Sequence, residues 1–154
     1  MAPKNIYQRM KNFNQLMSAN LRRGFGPTWM VLVLTTTGRR SGLARVTPLQ
    51  FEKVDDDFYI ASALGPKADW YRNILANPQV QFTLQKKEFN AMAEPVTDPQ
   101  RIADFLELRL QRHPIMIRLI LHFIDGLPLH FDRSDLVSLS QKKAMVILHP
   151  EEKE

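Results

Sequence analysis

The chain's densest chemistry lies in eight consecutive residues, Thr35-Thr36-Thr37-Gly38-Arg39-Arg40-Ser41-Gly42, and continues through Arg45, Thr47 and Pro48. Two glycines permit positive φ, so successive backbone N–H groups can converge on an anion. Three arginines and several hydroxyls add charge-assisted hydrogen bonds to phosphate oxygens. The spacing is neither a Walker A loop nor the Rossmann fingerprint, and an exposed hairpin turn with incidental basic residues accounts for the same string. A second stretch, Ser62-Ala63-Leu64-Gly65-Pro66-Lys67-Ala68-Asp69-Trp70-Tyr71, reads as a strand end, a Gly/Pro loop and a helix start. A helix N-terminus beside Lys67 attracts anions, and Trp70 or Tyr71 can flank a planar ring. The alternative is that both aromatics are core residues.

Other chemistries find little support. The chain has no cysteine, which removes disulfides, thiolate zinc sites and cysteine nucleophiles and fits an intracellular, cytoplasmic setting. His113, His122, His130 and His149 lack metal-ligand spacing, so no metal site is expected. A Gly-x-Ser-x-Gly elbow is missing, and Asp55-Asp56-Asp57 reads as a solvated hairpin turn. The formal charge of +5 favours anionic partners. Its arginines and lysines are scattered without a run of five, which argues against nucleic acid.

These residues need elements to hold them. Ile6, Met10, Phe13, Leu16, Met17 and Leu21 recur at helical spacing, predicting an amphipathic helix over Asn5 to Arg23 that ends at Gly24-Phe25-Gly26-Pro27. Its polar face is basic and acid-free, so residues 4–23 either pack on the protein's own sheet or touch a membrane surface. Trp29–Thr37 and Leu43–Glu52 read as strands joined across Gly38–Gly42, with Phe58–Ala63 as a third. A short helix, Asp69–Ala76, stops at Asn77-Pro78, and Asp69 is a candidate cap. Val80–Leu84 and Phe89–Val96 flank a turn at Gln85-Lys86-Lys87-Glu88. Thr97-Asp98-Pro99 starts a helix from Gln100 to about Leu110, His113-Pro114 interrupts it, and the apolar segment Ile115–Ile124 closes at Asp125-Gly126-Leu127-Pro128. Lys143–His149 is a closing strand. With 154 residues and 44% hydrophobic content, the chain suits one domain: a small barrel, mainly β with flanking helices (α+β). The N-terminus lacks the apolar core of a signal peptide, and no apolar run is long enough to span a bilayer.

Two separated motifs then carry a resemblance. Leu34–Gly42 followed by Arg45-Val46-Thr47-Pro48-Leu49, and Ala68-Asp69-Trp70-Tyr71-Arg72-Asn73-Ile74-Leu75-Ala76-Asn77-Pro78-Gln79-Val80, resemble the recurring signature of the deazaflavin-dependent nitroreductase family. That family belongs to the flavin/deazaflavin oxidoreductases of FMN-binding-like, split β-barrel fold. The resemblance implies a single domain over 1–154. It comprises an N-terminal helix in 1–26, a cofactor-binding core in 27–97, a helical excursion in 98–130 and a closing strand in 140–150. It also implies that Arg39, Arg40, Ser41 and Arg45 hold the oxyanions of coenzyme F-420, an 8-hydroxy-5-deazaflavin, while Thr47, Pro48 and Leu49 line its ring. Ser62, Lys67, Ala68, Asp69, Trp70 and Tyr71 occupy cofactor-contacting positions. The implied activity is hydride transfer from reduced F-420 to a small electrophilic acceptor such as a quinone or nitro compound, with no catalytic side chain assigned. FMN is the alternative cofactor, and a non-catalytic module holding flavin or tetrapyrrole, or a membrane-surface protein, is the alternative class. Family members place acceptor-binding tyrosines near the C-terminus, and this chain has none after Tyr71. The stretch Arg109–Leu129, with Met116, Phe123, His113, His122 and His130, is expected to cover the acceptor side. A homodimer is expected by analogy of fold.

Overall fold

A computed structural model describes residues 15–19, 29–62 and 64–152. Six antiparallel strands, β1 (Val31–Thr37), β2 (Ala44–Val54), β3 (Asp57–Ser62), β4 (Gln79–Leu84), β5 (Lys87–Val96) and β6 (Ala144–Pro150), close into a barrel in the order β1-β2-β3-β6-β5-β4. The ring closes where β4 returns to β1, with Thr35 opposite Gln81 and Val33 opposite Thr83.

Strand alternation fills the interior. Leu32 and Leu34, Phe58 and Ile60, Val80 and Phe82, and Val146 and Leu148 point inward with Ala91 and Ala93. The two alanines on β5 leave room for aromatics, and the Phe82 ring centroid lies 4.9 Å from those of Phe58 and Phe89. The β4–β5 hairpin is tighter than expected. Only Gln85 and Lys86 form the turn, at φ 50° and 69°, while Lys87 and Glu88 already belong to β5. Two left-handed residues match the right-handed twist of the flanking strands, which is why two suffice. Asp57 likewise opens β3 instead of sitting in the preceding turn.

Helix α2 (Asp69–Ala76) follows a single 3-10 turn, Gly65–Lys67, and plugs one end of the barrel with Trp70, Tyr71 and Ile74. Its N-cap is Ala68, which offers no side-chain acceptor, so Asp69 is the first helical residue and not the cap. The helix ends as expected at Asn77, before Pro78.

Three helices build an outer layer. Asp98 caps α3 (Pro99–Arg112), accepting from the Gln100 N–H at 3.0 Å. This helix lays Ile102 and Phe105 on Val96, Met145 and Ile147, on the outer face of the barrel. Helices α4 (Pro114–Phe123) and α5 (Arg133–Ser140) pack on its far side through Ile117, Leu121 and Leu136 against Ala103 and Leu106. The end of α3 is pinned to β2 by the buried carboxylate of Glu52, which meets Arg112 at 3.3 Å and His113 at 3.0 Å. Arg109 Nε lies 3.6 Å from Glu52 Oε1, an ion pair too long for a hydrogen bond. Burial lowers the Arg109 pKa and the Glu52 charge opposes that shift.

Residues 15–19 form one helical turn, α1. The rest of the expected Asn5–Arg23 helix lies outside the described residues. No helix among the described residues is long and apolar enough to cross a membrane.

Candidate functional site

The turn between β1 and β2 is built by its own backbone. Gly38 N–H donates to Leu43 O and Gly42 N–H donates to Gly38 O, both at 2.8 Å. Gly42 sits at φ +71°, a left-handed conformation glycine adopts without steric cost. A side chain at Gly38 would come within 2.7 Å of Ser41 Oγ, so the turn closes this tightly only around hydrogen at that position. Ser41 Oγ accepts from Leu43 N–H at 3.2 Å and keeps its own hydroxyl hydrogen to donate.

The two sequence motifs meet at the α2 end of the barrel, and Asn73 joins them. Arg39 donates to Asn73 Oδ1 twice, from its backbone N–H at 3.2 Å and from Nη1 at 2.9 Å. Its Nη2 pairs with Asp69 at 3.3 Å. Asn73 Nδ2 in turn donates to the buried Thr36 hydroxyl at 3.2 Å. A buried amide left unpaired would be costly, so this network fixes where the basic turn sits on the helix. Asn73 was not among the residues expected at the site. The one local hint was a polar residue on the face of α2 that also carries Trp70, Tyr71 and Ile74.

The three arginines therefore divide. Arg39 is committed to Asn73 and Asp69, whereas the side chains of Arg40 and Arg45 make no hydrogen bond or ion pair among the described residues. Arg45 stands opposite Thr36 across β1–β2, and its Nε passes 3.5 Å from where a Gly38 Cβ would be. Exposed Lys67 also lacks an ionic partner among the described residues, and Ser62 is buried with its Oγ unpartnered. Among the described residues Arg40, Arg45 and Lys67 are thus cations without internal counter-charge, while Ser41 and Ser62 are hydroxyls with capacity to spare. That donor set fits an anionic, phosphate-bearing ligand.

The remaining expected residues are distributed unevenly. Thr47 and Leu49 share the inward face of β2 with Leu34 and Leu32, while Pro48 faces outward beside Val33, so alternation prevents all three from lining one surface. Trp70 and Tyr71 are core residues, packed edge to face at 6.2 Å. Burial raises the Tyr71 pKa, which keeps the phenol protonated. Ala68 is buried with them and Asp69 is exposed. Of the outer stretch, His113 is bound to Glu52, His122 meets Leu127 O at 2.7 Å, Met116 packs with α3 and α5, and Phe123 and His130 face solvent.

A cavity of about 570 Å³ adjoins the turn. Thr35, Thr37 and Gly42 line it from β1 and the turn, and Gln79, Gln81 and Asn90 line it from β4 and β5. Sequence reading missed the β4 and β5 residues, because only barrel closure brings β4 beside β1.

Comparisons with known proteins bear on the fold and the family. A family model described as F420H2-dependent quinone reductase matches residues 9–114. An F420H2-dependent quinone reductase of Mycobacterium tuberculosis is 35% identical over 68 residues, which cover 42% of this chain and 46% of that protein. The match thus spans about half the length of such curated relatives. Among solved structures, an F420-H2 dependent reductase superposes with TM-score 0.52 at 19% identity, covering 77% of this chain and 92% of its own. A structure titled as a domain-swapped dimer does so with TM-score 0.55 at 17% identity, covering 95% and 99%. Both likenesses speak to the fold, the split barrel with flanking helices that the sequence leads one to expect. Because the family model covers more than half of the chain, this protein belongs to the F420H2-dependent quinone reductase family.

Proposed function

We propose that the protein binds reduced coenzyme F-420 at the α2 end of the barrel and reduces a quinone-type acceptor. The observation that carries this reading is the Arg39–Asn73–Thr36 network, which fixes the basic turn on the helix while leaving Arg40, Arg45 and Lys67 without ionic partners among the described residues. When bound, reduced F-420 supplies a hydride from its ring.

The chain's own residues bind and orient. Arg40, Arg45 and Lys67 neutralise the oxyanions of the cofactor tail, with Ser41 donating its hydroxyl hydrogen. Pro48, which faces outward, presents the β2 surface to the ring, and Trp70 and Tyr71 hold α2 in the barrel end from the core. Family membership favours a quinone over a nitro compound as acceptor. Fluorescence titration with F-420 and with FMN tests the reading: F-420 binds, and Arg40→Ala/Arg45→Ala weakens it about tenfold or more, the scale of one or two lost charge-assisted bonds. Preference for FMN, or binding indifferent to both arginines, contradicts it.

We also propose a homodimer, supported by fold analogy and by a structure of the same fold titled as a domain-swapped dimer. Sedimentation velocity at micromolar concentration should give twice the 17.9 kDa chain mass; a single-chain mass contradicts it.

A further inference from the structure

Two lysines that precede the last strand, Lys142 and Lys143, stand directly behind the second motif. Gly65 opens the 3-10 turn at φ +62° and is buried. A Cβ at that position would collide with the Lys142 carbonyl oxygen and come within 3.7 Å of Lys143 Cα. The turn therefore rests on the connector with only hydrogen between them, and a larger residue has to push one from the other. Next along the chain, Ala144 stands opposite Ser62 in the β3–β6 register. Residues 142–144 are thus the wall against which Ser62 and the Gly65–Lys67 turn are laid.

The connector is held in its turn by the helical layer. The N–H groups of Gln141, Lys142 and Lys143 donate to Val137 O, Leu139 O and Ser140 O at 3.3, 3.0 and 3.2 Å, so the connector continues the end of α5. Lys143 Nζ lies 2.9 Å from Asp125 Oδ1, just past α4, and the two side chains are only 10% and 11% exposed. The chain around Asp125 is itself tied to α4, because Ile124 N–H donates to Ile120 O and Leu127 N–H to Leu121 O. Apolar side chains of similar volume often fill such a place with no loss of stability; a buried ion pair instead selects one geometry.

We propose that the Asp125–Lys143 ion pair and the Gly65–Lys142 contact are positioning elements for F-420 binding. They set the place of the Gly65–Lys67 turn, and so the point from which Lys67 meets the oxyanions of the cofactor. The proposal rests on the F-420 reading given above. It makes the helical layer part of cofactor recognition: α4 and α5 act on the cofactor through Lys142 and Lys143 without touching it.

The test is a fluorescence titration of the full chain and its variants with F-420, beside urea unfolding to verify that each is folded. Asp125→Asn/Lys143→Met removes both charges and so leaves no buried charge unpaired. It should weaken F-420 binding about tenfold, the scale of one hydrogen bond to a charged group, and Gly65→Ala should do the same. The decisive readout is a double-mutant cycle with Lys67→Ala, in which both losses should shrink to about twofold or less, because the group they act through is gone. Arg133→Ala loosens the same layer elsewhere, at Asp104 and Glu107, and should leave F-420 binding unchanged. Losses that stay full in the Lys67→Ala background overturn the proposal. So does an Arg133→Ala variant that binds as weakly as the charge-free one. A parent that binds no F-420 overturns the function proposed above and this inference with it, whereas a parent that binds beside equally tight Asp125→Asn/Lys143→Met and Gly65→Ala variants overturns this inference alone.

Discussion

At the scale of single residues, three arginines that look equivalent in sequence have different roles. Arg39 hydrogen-bonds a buried amide, so its loss is felt by the fold: Arg39→Ala removes the Nη1 donor from Asn73 Oδ1, a change that costs about 1–3 kcal/mol when the amide is left unpaired. The backbone N–H of residue 39 still donates to Asn73 Oδ1 in the variant, so the lower half of that range is the expected result in urea unfolding. Arg40→Ala and Arg45→Ala should stay within about 0.5 kcal/mol of the parent, as surface substitutions away from any network do. If Arg40→Ala destabilises as much as Arg39→Ala, the division of roles is wrong. This division was not legible in the sequence. Arg39 and Thr36 lie 34 and 37 residues from Asn73, and nothing local marks a partner at that distance.

Among the elements, those with a strong local signal were legible. Alternating β4, the apolar β-branched runs of β1 and β6, the glycine-bounded turn at 38–42 and the helix ending before Pro78 are set by periodicity, by β propensity and by backbone restrictions that neighbours alone impose. Helix α5 was not. Its Ser-rich sequence, Arg133–Ser140, has little apolar stripe, and its start is marked by a reciprocal capping box between Asp132 and Asp135, where the familiar pattern has Glu or Gln at the second position. Pairing between strands distant in sequence was equally hidden, and one such tie has a pH signature. His149 on β6 is held by Asp57 of β3 at 3.0 Å and by Glu94 of β5 at 2.9 Å. The Glu94 hydrogen bond, reinforced by Asp57, raises the His149 pKa above 6.5, and the His149 hydrogen bond lowers the Glu94 pKa below 4.5. A raised histidine pKa stabilises fully below the unfolded value and is lost as pH rises through the folded one. A lowered carboxylate pKa stabilises above its unfolded value and is lost as pH falls through the folded one. The clamp is therefore strongest between about pH 4.5 and 6.5. Stability should fall as pH rises from 6 to 8, and His149→Gln should flatten that slope. An unchanged slope in the variant would place its origin elsewhere.

For the whole molecule, the barrel sets where the site and the helical layer stand. Closure through β1 and β4 leaves one end to α2 and the basic turn, while α3 covers the outer wall and carries α4 beyond it. The resemblance read from two motifs anticipated the fold and the family. It did not anticipate that Ile115, Leu119 and Phe123 on α4 are exposed, because they give the same helical signal whether they point into a core or away from it. The central claim is that the fixed turn presents Arg40 and Arg45 to an anionic deazaflavin. Its most direct test is an F-420 fluorescence titration of the parent, Arg39→Ala and Arg40→Ala/Arg45→Ala. The account predicts that the double variant keeps the parent's stability and loses about tenfold or more in affinity. A double variant that binds F-420 as tightly as the parent would contradict it.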